Sequence, residues 1–254
     1  MEIQIERADG VLSIVLNRPE KKNAITAAMY QEMADGLYEA EMDPSVRAVL
    51  IRAVGTTFSA GNDLDDFLKD PPKGSDAPVF QFLRRISGFP KPIVAAVAGT
   101  AVGIGTTMLL HCDIVYASPG AKFSVPFAQL GLCPEAASSL LLPRTAGYQR
   151  AAEKLLLGEA FDVNEAIGMG FVNGAIDAAE LDAYAFDKAK RLAMLPASSL
   201  RVTKSLMKGA QASEVAARID EEAAHFARLL VAPEAREAFQ AFFDKRKPNF
   251  SQFE

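Results

Sequence analysis

The 254-residue sequence is poor in the side chains that build metal centres and disulfide frameworks. It contains two cysteines, Cys112 and Cys133, and two histidines, His111 and His225. Their spacing matches no metal-site pattern, so we expect no metal and two cysteines buried as small apolar side chains. His111 and Cys112 are adjacent, and adjacent residues rarely direct their side chains to one point. We therefore do not expect a cysteine–histidine catalytic pair.

The sequence also lacks a strong excess of either charge. Its formal net charge is −5, and 23% of its residues are charged. This balance gives no electrostatic reason to expect nucleic acid or an anionic membrane as the partner. Half of the residues are apolar. That length and composition indicate one large globular domain, or a domain with an appendage, around a substantial core.

Targeting and membrane signals are missing as well. MEIQIERADG at the start does not read as a secretory signal, and NFSQFE at the end carries no peroxisomal tripeptide, so we expect a cytoplasmic location. Residues 93–110 form the longest uncharged run, which is near the lower limit for a membrane span. Because this run contains Gly99, Gly103 and Gly105, we expect a strand, a glycine turn and a buried helix instead.

Phosphate-loop and serine-nucleophile motifs are absent. The glycines of AGTAVGIGTT are spaced G-x-x-x-G-x-G, which is neither a dinucleotide fingerprint nor a Walker pattern. No G-x-S-x-G elbow of a serine hydrolase occurs. What this segment does offer is a turn of small residues leading into a helix, whose first N–H groups point outward. Such groups can hold an anion, including a transient oxyanion.

TTFSAGNDLDDF, residues 56–67, is a second glycine turn of this kind. Gly61 permits a close approach of two backbone segments, and Asn62 and Asp63 can hydrogen-bond to their own backbone. Asp65 and Asp66 are typical of a capped, solvated helix start.

The pattern of predicted elements is that of an α/β protein. Two alternating apolar runs around the dipeptide Asp9-Gly10 indicate a hairpin. Ile25, Met29, Met33 and Leu37 recur every four residues and predict an amphipathic helix. Further short strands are predicted for RAVLIRAV, IVAAV, DIVYAS and KFSV. Strands that alternate with helices in this way favour a sheet covered by helices.

The C-terminal part of the sequence has a different character. From about Asp177 it is alanine-rich with helical apolar spacing, and LPASSL interrupts the pattern. We predict a core over residues 1–195 and a helical region over residues 196–254, whose apolar face packs on the core or on another subunit. KDPPKGSDAPVF, residues 69–80, predicts a loop along a variable pocket wall.

Glu135 is the one acidic residue in GLCPEAASSLLLPRTAG, residues 131–147. The stretch Ala136–Leu142 behind it reads as the opening of a buried helix. A carboxylate at this point is either a favourable partner of the helix dipole or a group held in a pocket for catalysis. The residues alone leave both interpretations open.

Four segments, in order and with matching separations, resemble the crotonase superfamily, also called the enoyl-CoA hydratase/isomerase family. They are FSAGNDL, PKPIVAAVAGTAVGIG, CDIVYAS and AKFSVPFAQLGLCPEAASSLLLPRTAG. The resemblance implies an α/β fold built as a spiral of ββα units, with C-terminal helices that help to form a homotrimer or a hexamer. It also implies an acyl-CoA ligand and no separate cofactor, because coenzyme A is part of the substrate.

The resemblance further implies a set of site residues. The thioester oxyanion would be held by the backbone N–H groups of Ala60 and Ile104, which lie in the two glycine turns. Lys21, Lys22 and the basic tail segment DKRKP either meet the CoA phosphates or remain solvated. The substrate would be bound by residues of both turns and one aromatic side chain, namely Ala60, Gly61, Asn62, Asp63, Leu64, Gly103 and Phe127.

The catalytic positions distinguish reactions within the family. Hydratases carry two glutamates, and the matching positions here hold Thr107 and Phe127, which cannot titrate usefully. PFAQLGLCPEAASSLLLP instead resembles the P-E-G-C-S-S segment of peroxisomal-type Δ3,Δ2-enoyl-CoA isomerases, in which the glutamate after proline is the sole acid and base. The resemblance thus implies that Glu135 shuttles the proton, with Ala136 and Ala137 in place of glycine and cysteine.

An apolar setting is expected to raise the pKa of Glu135 towards the value that proton shuttling requires. Phe127 and the leucines after Glu135 would supply that setting and exclude water. Two alternatives stay open. One is another acyl-CoA reaction of the family run by Glu135, such as hydration or isomerisation of a ring-derived acyl group. The other is a non-catalytic member that binds acyl-CoA or RNA, although the mixed charge of the tail disfavours RNA.

Overall fold

The computed structural model describes residues 1–69, 72, 74 and 76–253. The strands are β1 (Ile3–Ala8), β2 (Val11–Leu16), β3 (Ala48–Ala53), β4 (Thr57–Ser59), β5 (Ile93–Val97), β6 (Thr100–Val102), β7 (Ile114–Ala117), β8 (Lys122–Ser124), β9 (Phe161–Asp162) and β10 (Gly174–Ala175). The α-helices are α1 (Ala27–Met42), α2 (Leu64–Lys69), α3 (Pro78–Gly88), α4 (Ile104–Thr107), α5 (Ser138–Ala146), α6 (Tyr148–Leu157), α7 (Val163–Gly168), α8 (Leu181–Ala193), α9 (Ala197–Lys208), α10 (Ala212–Leu230) and α11 (Pro233–Phe243).

Two sheets carry the strands. One has six strands in the order β1-β2-β3-β5-β7-β10, and the other has four in the order β4-β6-β8-β9. In β3–β4, β5–β6 and β7–β8, the first strand joins the larger sheet and the second joins the smaller one. Parallel pairing runs from β2 through β3, β5 and β7 to β10. This succession confirms the predicted α/β spiral of strand pairs and helices.

The β1–β2 hairpin is confirmed by antiparallel pairing of Ala8 with Val11. Its two-residue turn consists of Asp9 and Gly10, with φ of 52° and 77°. Positive φ at both central residues is the geometry that favours Asp-Gly in a tight hairpin, because its twist matches that of the strands.

Alternate residues of the larger sheet face two separate apolar cores. Val49 and Ile51 belong to the main core, which also contains buried residues of α1 and α3. Ala48 and Leu50 face the other way and pack with α8. Side chains of a strand alternate between its faces, so both faces must be apolar when both are covered. This explains the near-continuous apolar runs that predicted these strands.

The uncharged run at residues 93–110 folds as β5, β6, α4 and the start of a 3₁₀ turn over Met108–His111. The expected strand, glycine turn and buried helix are therefore confirmed. Within the described part of the chain, every helix is too short or too polar to cross a membrane. The predicted loop over residues 69–80 is described only in part, since residues 70, 71, 73 and 75 lie outside the described residues.

Two lysines, the buried Lys204 and the partly exposed Lys208, connect α9 to the core. Lys204 Nζ donates to Asp113 Oδ2 at 2.6 Å and to the carbonyl of Lys91 at 2.7 Å. Lys208 Nζ donates to the carbonyl of His111 at 2.7 Å. The same helix leaves apolar side chains exposed, including Val202 and Leu206. The trimer contact predicted for the C-terminal region stays a prediction, as does the domain boundary at residue 195.

Replacing Lys204 with methionine should destabilise the fold strongly. Removal of one partner from a buried ion pair leaves the carboxylate of Asp113 buried without its main cation, which costs about 3 kcal/mol or more in the free energy of unfolding. Urea denaturation measures this loss. Lys190→Met is the matched control, because its ion pair with Asp9 is exposed and should contribute little. Equal stability of the two variants would contradict this account of how α9 is held.

Candidate active site

The two glycine turns lie side by side because they follow neighbouring parallel strands. β4 and β6 pair in parallel, so their carboxyl ends reach the same edge of the smaller sheet. Gly61 has φ of 91°, and a Cβ there would lie 3.0 Å from the carbonyl oxygen of Val102. A Cβ on Gly105 would lie 2.9 Å from the Cβ atom of Ser59. Glycine at these positions lets the two turns approach closely.

The backbone N–H of Ala60 is not free to hold an oxyanion. It donates to the carbonyl of Lys22 at 2.9 Å. The prediction that the N–H of Ala60 is an oxyanion donor is therefore wrong. The turn reaches into the segment before α1, which uses up this N–H group, and the sequence spacing alone does not show that contact.

Asn62 offers the free donor instead. The carbonyl of Gly61 accepts from the N–H of Ile25 at 2.8 Å, and the N–H of Asp63 donates to the carbonyl of Ile25 at 2.9 Å. Between these two bonds, the N–H of Asn62 points away from Ile25, because successive peptide groups of an extended segment alternate. Within the described residues this N–H group has no hydrogen-bond partner.

Ile104 opens α4 directly after Gly103, which has φ of 54°. The first N–H groups of a helix have no partner within it. The N–H groups of Thr106 and Thr107 donate to the carbonyl of Gly103. The N–H of Ile104 has no partner in the described part of the chain. Its predicted role as an oxyanion donor is compatible with this geometry and stays a prediction.

Glu135 is a buried carboxyl group, only 9% exposed. The hydroxyl of Thr107 donates a hydrogen bond to its Oε1 atom. Burial raises the pKa of Glu135 to about 8, against the opposing effect of the Thr107 hydrogen bond and with a further increase from the charge of Glu222. The expected upward shift is thus present, and the position of Thr107 next to the carboxylate was not foreseen.

A pocket that is open to solvent lies beside Glu135, with about 580 Å³ of empty space when its open mouth is included. Glu135 is the only titratable side chain among the described residues that line it. The walls come mainly from α3 and α10 and are almost wholly apolar. The lining residues are Asn62, Phe67, Pro72, Val79, Phe80, Leu83, Glu135, Ala136, Ile219, Ala223, Phe226, Ala227 and Leu230.

Most of the predicted substrate-binding residues do not line this pocket but make contacts within the surrounding fold. Of that set, Asn62 lines the pocket. Asp63 pairs with Arg18 at 2.6 Å and accepts from the N–H of Asp66 in the first turn of α2. Leu64 packs against the main core. Phe127 is buried beside Gly103, where an added Cβ would lie 3.8 Å from its ring. Their contribution to CoA binding stays a prediction.

The match to known families is unambiguous. Residues 6–253 match the family described as enoyl-CoA hydratase/isomerase. The chain belongs to the enoyl-CoA hydratase/isomerase family. Enzymes of this family act on acyl-CoA thioesters, and the resemblance drawn from the four sequence segments is confirmed at this level.

Relatives within the enoyl-CoA hydratase/isomerase family carry different names. The chain is 34% identical over 249 residues to 1,2-epoxyphenylacetyl-CoA isomerase of Escherichia coli K12, covering 95% of both chains. It is 35% identical to enoyl-CoA delta isomerase 2 of Rattus norvegicus, covering 97% of this chain and 64% of that protein's length. Its fold is similar to the crystal structure of an enoyl-CoA hydratase/isomerase from Pseudoalteromonas atlantica T6c, with a TM-score of 0.94, 42% identity and coverage of 99% and 100%.

A turn that the sequence did not predict follows Glu135. The helix expected from the run Ala136–Leu142 is present as α5, but it begins at Ser138 and not at Ala136. Ala136 and Ala137 have φ of 59° and 54°, the left-handed region that L-residues avoid. The helical pattern of the sequence gave no sign of this, because alanine is a strong helix former.

Three further side chains were missed as parts of this site. Tyr30 donates to the side-chain oxygen of Asn62 at 2.5 Å. Burial and the nearby charge of Glu135 raise the pKa of Tyr30, so it remains a neutral donor. His111 Nε2 donates to the carbonyl of Ala136 at 2.8 Å, and burial lowers the pKa of His111 to about 4, so its ring is neutral.

Glu222 of α10 is the third of them, and it accepts hydrogen bonds from the backbone after Glu135. The sequence contains a signal that could have identified Glu222. Glu222 interrupts the buried stripe of α10 formed by Val215, Ile219, Phe226 and Leu230. A carboxylate on the apolar face of an amphipathic helix indicates a specific buried partner.

Replacing Thr107 with valine should raise the pKa of Glu135 further. The isosteric change removes the hydroxyl that stabilises the ionised carboxylate, and a hydrogen bond to a charged group corresponds to about one pKa unit or more. Carbon-13 NMR of the glutamate carboxyls measures this pKa directly. Thr106→Val is the matched control, because the Thr106 hydroxyl donates to the carbonyl of Ala101 instead. An unchanged Glu135 titration in Thr107→Val would contradict the assigned contact.

Proposed function

We propose that the protein is a Δ3,Δ2-enoyl-CoA isomerase, which moves the double bond of a 3-enoyl-CoA to the 2-trans position. One observation carries this proposal. Glu135 is the only titratable side chain that faces the apolar pocket within the described residues. A reaction that needs one group to accept and return a proton suits this site better than a reaction that needs two.

The proton transfer follows from the position of Glu135. As a carboxylate it removes a proton from C2 of the 3-enoyl thioester, and the C2–H electron pair moves into a dienolate. The same carboxyl group then delivers the proton to C4, so that the double bond lies between C2 and C3. The Thr107 hydroxyl occupies Oε1 and leaves Oε2 as the atom that carries the proton. A base with a pKa of about 8 is well matched to both transfers near neutral pH.

The dienolate places negative charge on the thioester oxygen. We assign its two donors to the backbone N–H groups of Ile104, as expected from the sequence, and of Asn62, which replaces Ala60. Both groups belong to adjacent turns and have no partner in the described structure. Loss of one such donor typically raises the barrier by about 3–4 kcal/mol.

Addition of water to a 2-enoyl-CoA requires a second acid or base to activate the water. At the two positions where hydratases carry glutamates, Thr107 bonds to Glu135 and Phe127 is buried beside the glycine turn. The apolar walls of the pocket also disfavour a positioned water. These features support isomerisation over hydration.

Isomerisation of a ring-derived acyl-CoA is the second candidate. Three phenyl rings, those of Phe67, Phe80 and Phe226, line the pocket. Those of Phe67 and Phe226 form an edge-to-face pair with centroids 5.9 Å apart. Such a wall accommodates a flat ring as well as an aliphatic chain. The similarity to the Escherichia coli 1,2-epoxyphenylacetyl-CoA isomerase over nearly the whole chain supports this candidate too.

We also propose a homotrimer or a hexamer formed as a dimer of trimers. The exposed apolar side chains of α9 support this, because a helix face with Val202, Leu206 and Met207 in contact with water is typical of a subunit interface.

Conversion of a 3-enoyl-CoA to the conjugated 2-trans isomer, followed by ultraviolet absorbance, tests the function. Glu135→Gln keeps the shape of the side chain and removes the base, so we expect a loss of kcat of about 100-fold or more. The same preparations receive a 2-trans-enoyl-CoA to measure hydration, and a ring-derived acyl-CoA to test the second candidate. Hydration as fast as isomerisation, or full activity of Glu135→Gln, would contradict the single-glutamate mechanism.

A further inference from the structure

The backbone directly after Glu135 is strained and needs external support. Two consecutive alanines, Ala136 and Ala137, adopt left-handed conformations. Each costs about 1–2 kcal/mol relative to an ordinary conformation, and such strain persists only where the surroundings determine it. The direction of the Glu135 side chain depends on this turn, because the two residues follow it immediately.

The carboxylate of Glu222 holds this turn from α10. Its Oε2 atom accepts from the N–H of Ala137 at 2.6 Å, and its Oε1 atom accepts from the N–H of Ser139 at 3.0 Å. Both oxygens are thus used on one short stretch of backbone. His111 adds a third contact to this turn, through its bond to the carbonyl of Ala136.

An ordinary helix cap does not account for Glu222. A cap on a surface helix is a solvated side chain from the helix's own N-terminus. Glu222 comes from another helix and is 5% exposed. One of its two donors, Ala137, precedes the first residue of α5. Burial raises the pKa of Glu222 and thus disfavours its ionised form. The nearby buried carboxyl group of Glu135 increases the free-energy cost of a charge at this position.

The helix that carries Glu222 also closes the pocket. Ile219, Ala223 and Phe226 of α10 line it on the same side. Movement of α10 would therefore change the pocket wall and the support of Glu135 together.

We propose that Glu222 is a positioning residue for Glu135, whose bidentate grip on Ala137 and Ser139 fixes the catalytic carboxylate beside the pocket. This role rests on the proposed function of Glu135. It gives the C-terminal helical region a part in building the active site, beyond the subunit contact expected from the sequence.

The groups around this pair determine how it responds to pH. Tyr30 of α1, His111 after α4 and Cys133 before Glu135 remain neutral near pH 8, since burial raises the pKa of the phenol and of the thiol and lowers that of the imidazole. Arg218 of α10 donates to the hydroxyl of Ser139. The negative charge that bears on Glu135 is thus that of Glu222.

The variants Glu222→Gln and Glu222→Asp distinguish the effect of the Glu222 side-chain geometry on kcat from the effect of its charge on the pH profile. Glutamine replaces one acceptor oxygen by an NH₂ group, so we expect kcat to fall about 10- to 100-fold with little change in KM. Loss of the neighbouring charge should also move the acidic limb of the kcat/KM profile to lower pH, because ionised Glu135 is then less disfavoured. Aspartate keeps the charge on a shorter stem, so it should lower kcat and leave the acidic limb in place.

Glu214→Gln is the matched control. Glu214 also lies on α10 and also reaches α5, through its ion pair with Arg144, but it is exposed. This variant should keep the wild-type kcat and pH profile. Folded Glu222→Gln with both quantities unchanged would overturn the proposal. A fall in apparent kcat that matches the loss of folded protein, with the acidic limb of the wild type retained, would assign Glu222 a merely structural role. If Glu222→Gln does not fold, Glu222→Asp decides, and wild-type kcat in that variant would overturn the proposal.

Carboxyl carbon-13 NMR of the ligand-free protein tests the coupling of Glu222 to Glu135 separately from the proposed isomerase activity. The Glu135 signal is assigned by its loss in Glu135→Gln. Inactive wild-type protein on every acyl-CoA would contradict the proposed function alone. A lower Glu135 pKa in Glu222→Gln would still support the coupling, whereas an unchanged pKa in this folded variant would overturn it.

Discussion

Removal of the Glu135 carboxylate from water is the constraint on which the site depends. An ionised group in an apolar pocket loses its hydration, and this loss raises its pKa to about 8. The hydroxyl of Thr107 offsets part of that penalty without supplying a second proton donor of use near neutral pH. The same apolar wall that makes Glu135 a suitable proton shuttle also disfavours a reactive water.

The surrounding fold supplies what an isolated carboxylate lacks. Parallel pairing of β4 with β6 brings the two glycine turns to one edge, where the N–H groups of Asn62 and Ile104 have no partner among the described residues. α10 closes the pocket and places Glu222 on the strained turn after Glu135. In the proposed mechanism the spiral positions the oxyanion donors, and the helical C-terminal part positions the base.

Much of the fold follows from local patterns in the sequence. Alternating and continuous apolar runs predicted the strands, and the Asp9-Gly10 turn predicted the hairpin, because these signals depend on neighbouring residues only. Glu135 also stood out, as the one acidic residue in an otherwise uncharged segment up to Arg144. What could not be predicted depends on contacts between distant segments. The N–H of Ala60 is bound to the carbonyl of Lys22, and the left-handed turn at Ala136 and Ala137 is hydrogen-bonded to His111 and Glu222.

The fate of the C2 proton tests the single-base account most directly. A 3-enoyl-CoA labelled with deuterium at C2 should yield 2-trans-enoyl-CoA with part of the label at C4, because Glu135 removes and returns the same proton in a pocket that water enters poorly. Mass spectrometry and proton NMR of the product locate the label. Absence of deuterium from C4 in every turnover would contradict the account, because the abstracted deuteron would then reach water before Glu135 could return it.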